Sequence, residues 1–131
     1  MSIANANDFL SRNFKKSEFR CGCGRCPEIP PHPDLVNMLQ RVRDAIREPI
    51  KITSGIRCKD WNRSIGGAEN SPHLDGLAVD IFDSGSRFCY YLIKAIQSHD
   101  CVKHIIIYPN HIHVSIFGTY RTGERSLWRT K

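Results

Sequence analysis

Histidine, cysteine and carboxylate side chains are the groups in this 131-residue chain able to bind metal or move protons, and two stretches concentrate them. One is Ser71-Pro-His-Leu-Asp-Gly-Leu-Ala-Val-Asp80, read together with His111-Ile-His113 further along. Alternate residues of a strand share a face, so His111 and His113 point the same way and Asp80, on a neighbouring strand, projects toward them. His73, in the loop entering that strand, completes a chelating set. Three such ligands hold zinc at about 2.0–2.2 Å and keep a fourth position for water, which is the arrangement of catalytic rather than structural zinc. Gly76 and Ala78 are small enough to leave room for a metal and substrate near the backbone. A histidine taken singly is usually a packed or surface residue. Four chelating groups converging on strands that otherwise carry isoleucine and valine are what single out this set.

The second stretch is Cys21-Gly-Cys-Gly-Arg-Cys-Pro-Glu-Ile-Pro-Pro-His-Pro33. Cys21, Cys23 and Cys26 with His32 offer three thiolates and one imidazole, ligand types that suit a second, structural zinc. Their spacing fits no standard finger, so packed thiols or a disulfide formed later are the competing readings. The remaining cysteines, 58, 89 and 101, read as buried thiols. Three of six cysteines crowded into one hexapeptide make a poor disulfide framework.

The elements that must position these groups follow from periodicity. Four of the seven prolines fall between residues 21 and 33, which therefore form an irregular loop, and residues 1–17 read as a polar arm with one helical turn near Ser17-Glu18-Phe19. Asp34 is the expected cap of a helix in which Leu35, Val36, Met38, Leu39, Val42, Ala45 and Ile46 recur at helical spacing until Pro49. Ile50-Lys-Ile-Thr-Ser54 alternates as a half-buried strand, 57–71 reads as a short helix and a loop, and 77–82 is a second strand. A second long helix covers 86–98, and strands at 102–108 and 111–117 meet at the Pro109-Asn110 turn. The tail from 118 is basic and expected on the surface, with Trp128 folding back. The sum is an α+β domain, two helices on a mostly antiparallel sheet that carries the zinc site on its face. One domain spans 1–131: an arm and Cys/Pro-rich loop to 33, a core from 34 to 117, and the tail.

Composition narrows the function classes. Hydrophobic residues at 40% and charged residues at 24% match an ordinary globule, and no apolar run approaches the roughly 20 residues that span a bilayer. Nineteen basic against thirteen acidic residues leave +6, which suits a polyanionic neighbour. The charges are spread without a basic helix, so nucleic acid is not the expected partner and an acidic cell wall is. The N-terminus lacks the basic start and apolar stretch of a secretory signal, which predicts synthesis in the cytoplasm with free thiols.

Ser54-Gly-Ile-Arg57, Asn62-Arg63, Gly66-Gly67-Ala68, Ser71-x-His73-x-x-Gly76-x-Ala78-x-Asp80 and His111-x-His113 together resemble the zinc D-Ala-D-Ala carboxypeptidases and their peptidoglycan-cleaving relatives, from about Phe14 to Phe117. The resemblance implies that His73, Asp80 and His113 bind one catalytic zinc, that His111 assists proton transfer, and that Arg57 holds substrate and the developing oxyanion. Ser71 is expected to hold substrate or to set the geometry around the ligands. Some relatives carry a carboxylate base three residues before the last histidine; here that position is Asn110, which cannot titrate, so His111 must serve. The implied substrates are peptidoglycan stem peptides or their cross-links, cut beside a D-amino acid by a monomeric carboxypeptidase or endopeptidase. A bare catalytic domain of this size fits a phage endolysin that reaches the wall after release, and a bacterial origin fits too. The other reading is a zinc-containing wall- or partner-binding module of the same hedgehog/DD-peptidase fold, without turnover.

Overall fold

Helix α1, Pro33–Ile46, starts where the proline-rich loop ends, because Pro33 brings a preset φ and no N–H to the first helical position. Its cap is His32 rather than Asp34: the imidazole Nδ1 accepts the Asp34 N–H at 3.1 Å. The helix stops at Arg47, which turns left-handed at φ 57° and donates its N–H to Arg43. Leu35, Leu39 and Val42 are fully buried, as the periodicity predicts. Helix α2, Lys59–Ser64, is the short helix expected after residue 57, and α3, Ser86–Gln97, buries Phe88, Cys89, Leu92 and Ile96.

The computed structural model describes residues 8–118 and 125–129. The strands are β1 (Phe9–Ser11), β2 (Phe14–Lys15), β3 (Ile52–Ser54), β4 (Ala78–Phe82), β5 (Val102–Ile107), β6 (His111–Ile116) and β7 (Ser126–Arg129). The main sheet runs β3-β4-β6-β5-β7, and every pairing in it is antiparallel except β5 with β7. Three of these strands depart from the sequence reading. Part of the expected surface tail is strand β7, and the polar arm holds the β1-β2 hairpin. That hairpin is fixed to α1 by Ser11 and Asn13, which bond Gln40, and by the Arg12–Asp44 ion pair. The expected helical turn is present as a 3-10 turn at Lys16–Phe19. The side chain of Trp128 lies outside the described residues.

Strand alternation divides the sheet into two faces. Val79, Ile81, Ile112 and Val114 point into one core with α1 and α3, joined by Phe14 and Phe19 from the N-terminal segment. The residues between them, Asp80, His111 and His113, point the other way. Register places Ser54, Asp80, His113 and Ile106 in one row across β3, β4, β6 and β5. The polar face is therefore backed by a packed hydrophobic layer that holds its donor atoms in place.

Candidate metal centre

Asp80 is the hub of the polar face. It is 6% exposed, and its Oδ1 lies 3.2 Å from His73 Nε2 and 3.0 Å from His113 Nδ1, while its Oδ2 lies 3.1 Å from Arg57 Nη2 and 3.9 Å from His111 Nε2. Burial alone pushes this carboxyl's pKa up. Hydrogen bonds and positive charge from His113 and His73 outweigh that penalty and hold it well below the usual carboxylate range, so it is an anion.

His73 reaches the hub from a 3-10 turn, Pro72–Asp75. Ser71 caps this turn by accepting the His73 N–H at 3.2 Å, and Gly76 ends it at φ 69°. Gly76 therefore serves the backbone conformation rather than leaving room for a metal: a Cβ there would sit 3.3 Å from the Pro31 backbone. The His73 ring is held by Gly55, whose carbonyl lies 2.7 Å from Nδ1. A carbonyl only accepts, so Nδ1 carries the proton and, in the neutral ring, Nε2 turns a lone pair toward a carboxylate oxygen. Two lone-pair carriers 3.2 Å apart need a proton or a cation between them. The ligand atoms of His73, Asp80 and His113 all lie within 4.8 Å of one another, and this nitrogen, nitrogen and oxygen donor set fits zinc.

His111 stands beside this triad. Its Nδ1 is 2.8 Å from Asn110 Oδ1, and its ring stacks on Tyr108 with centroids 4.4 Å apart. With Asn110 as acceptor, Nδ1 holds the proton and Nε2 faces the hub with a free lone pair. Burial lowers the His111 pKa; Asp80 pulls it up, and His113, Arg57 and His73 push it further down. The net shift keeps the ring neutral, and so able to accept a proton, at pH 7. Tyr108 was not recognisable as functional from sequence, where it read as the end of a strand, and Asn110 stood out there only as a residue unable to titrate in place of a carboxylate base.

Arg57 is anchored along its length. Nε donates to Ser54 at 3.1 Å, Nη1 to Asn62 at 3.2 Å, and Nη2 to Asp80. These use three of its five N–H groups, and the other two bond no group among the described residues. Asn62, 3% exposed, also bonds the Ala68 carbonyl, and a Cβ at Gly67 would come within 2.1 Å of Asn62 Oδ1 and displace it. The cleft over the triad has a volume of about 380 Å³, and Arg57, Ser71, His73, Tyr108, His111 and His113 are among its walls. A larger hollow of about 850 Å³ adjoins it through Arg57 and Ser71 and carries Lys59 and Arg63.

Asp75, in the His73 turn, is exposed, and Asp83 caps its own turn by accepting the Gly85 N–H. His32 does not join the cysteines, since its Nδ1 is committed to capping α1. In its place Cys58 meets Cys21, Cys23 and Cys26.

Residues 9–115 match a family model described as Peptidase M15. Over 68 residues the chain is 38% identical to the zinc D-Ala-D-Ala carboxypeptidase of Streptomyces albus G. That match takes in 50% of this chain and 26% of the relative, so the two correspond over about a quarter of the relative's length.

Proposed function

Because the chain belongs to the Peptidase M15 family, we propose that it is a zinc-dependent peptidase acting on peptidoglycan stem peptides or their cross-links, at bonds beside a D-amino acid. The observation that carries this reading is the His73–Asp80–His113 triad, in which His73 Nε2 and Asp80 Oδ1 lie 3.2 Å apart while His73 Nδ1 faces the Gly55 carbonyl, a gap suited to a cation. The named relative's activity on D-Ala-D-Ala supports the substrate class. So does the hollow beside the triad, where Arg57, Lys59 and Arg63 outnumber Glu69 and Asp75 and offer positive charge to the carboxylates of a stem peptide.

His73, Asp80 and His113 would hold the metal. A zinc ion held there would supply polarisation of the scissile carbonyl and a water whose pKa falls toward about 7. His111, neutral and with Nε2 turned inward, takes a proton from the attacking water and returns it to the leaving amine. The free N–H groups of Arg57 stabilise negative charge on the carbonyl oxygen, and the guanidinium's ion pair with Asp80 keeps it at the cleft wall. Ser71 positions the His73 turn and borders the substrate path. Action at the cell wall follows from the substrate, with the endolysin role as its delivery route.

The test is release of D-alanine from synthetic stem peptides, and of free termini from cross-linked dimers, by zinc-loaded protein. Activity lost on chelation and restored by zinc is the expected result. Stoichiometric zinc without cleavage of either substrate would make the domain a binding module instead.

A further inference from the structure

The four sulfur atoms of Cys21, Cys23, Cys26 and Cys58 lie within 4.8 Å of one another, although Cys58 is 32 positions beyond Cys26. Zinc–sulfur bonds of about 2.3 Å place the corners of a tetrahedral site about 3.8 Å apart, which is the spacing such a cluster requires. Packing does not explain the convergence: only Cys21 is buried, and the other three are partly exposed and stand outside the hydrophobic core. Cys89, by contrast, sits inside that core.

Backbone donors point at the sulfurs. The Cys58 N–H reaches Cys21 Sγ at 3.3 Å, the Arg25 N–H reaches Cys23 Sγ at 3.3 Å, and the Trp61 N–H reaches Cys58 Sγ at 3.4 Å. A neutral thiol is a weak acceptor, so N–H groups aimed at three of four sulfurs suit thiolates. Gly24, at φ 73°, allows the Cys23-to-Cys26 chain to turn back on itself. Gly22 lets the loop pass under Trp61, whose ring would lie 2.7 Å from any Cβ there.

We propose that Cys21, Cys23, Cys26 and Cys58 form a tetrathiolate site for one structural zinc ion, separate from the His73–Asp80–His113 centre. All four positions are protein ligands, so the site is closed to water and substrate. Its effect is mechanical: it joins the N-terminal loop to the residue that directly follows Arg57, and so fixes the wall from which the guanidinium reaches Asp80. The ion displaces any thiol protons and undergoes no redox change.

Cobalt(II) added to the metal-free, reduced full chain tests the site. Sulfur-to-cobalt charge-transfer absorption that persists in His113→Ala and is lost in Cys26→Ser is the expected result. Zinc content should fall by one ion per chain in each variant, whatever the activity. A thiol titration of the wild type makes the test independent of variant folding: zinc should protect four of the six cysteines, and a chelator should expose them. Absence of a thiolate band with all thiols reactive in the zinc-loaded protein would overturn the proposal. So would a Cys23–Cys26 disulfide in protein kept under reducing agent, or iron in place of zinc at the four sulfurs. Failure of peptide cleavage leaves each of these readouts intact, so the two sites stand or fall separately.

Discussion

Asp80 bonds His73, His113 and Arg57 through its two oxygens and lies 3.9 Å from His111 Nε2, so a single carboxylate faces the histidines and the guanidinium proposed to act at the site. Replacing His111 with glutamine removes the proton carrier but none of the three ligands. The expected outcome is a fall in kcat of about 10²–10⁴-fold with metal content unchanged, read by steady-state kinetics beside metal analysis. Asn110→Ala should give a smaller loss in kcat, because it frees the His111 ring without removing it. In the cysteine loop, the Arg25 N–H, followed by the hydrogen bond from Cys26, lowers the Cys23 thiol to about 6, while its neighbour Cys23 pushes Cys26 up to about 12. A lowered pKa leaves thiolate above about pH 6. Iodoacetamide should therefore modify Cys23 first among these four in metal-free, reduced protein, at a rate that rises as pH passes through about 6, as peptide mapping would report. First modification at Cys26 would contradict this ordering.

At the scale of elements, the shared face of Asp80, His111 and His113 was legible because β4 and β6 follow strict alternation. Helices α1 and α3 were legible from their apolar spacing. Strand β7 was not, since its partner β5 lies some twenty residues upstream and a parallel pairing leaves no hairpin signal between them. The β1-β2 hairpin is too short to show alternation. The error at His32 has a similar cause: a histidine near cysteines looks like a ligand, and only the structure shows its nitrogen capping α1 while Cys58 arrives from elsewhere. Close packing at two glycines joins these elements to the site. Gly55 follows β3, where a Cβ would fall 2.6 Å from the Phe19 backbone and disturb the 2.8 Å bond from the Ile56 N–H to the Phe19 carbonyl. Gly55→Ala should destabilise the fold by about 1–3 kcal/mol in denaturant titration. Gly67→Ala displaces Asn62 and with it the Arg57 support. It should lower kcat/KM while three-ligand metal binding survives.

For the molecule as a whole, the sheet keeps a hydrocarbon face against α1 and α3 and a chemical face under the 55–76 segment, so the core and the site share β4 and β6 but compete for no residue. The +6 net charge belongs to this scale as well. Attraction to an acidic wall predicts that cleavage of intact sacculi slows as salt rises, whereas cleavage of small soluble stem peptides changes little. Equal salt sensitivity on both substrates would remove the charge from the account. The most direct test of the central claim is mass spectrometry of purified peptidoglycan digested by the zinc-loaded chain, with His113→Ala in parallel. New fragments cut beside a D-amino acid, produced by the wild type and absent with the variant, are the predicted result; identical, uncut muropeptides from both proteins would contradict it.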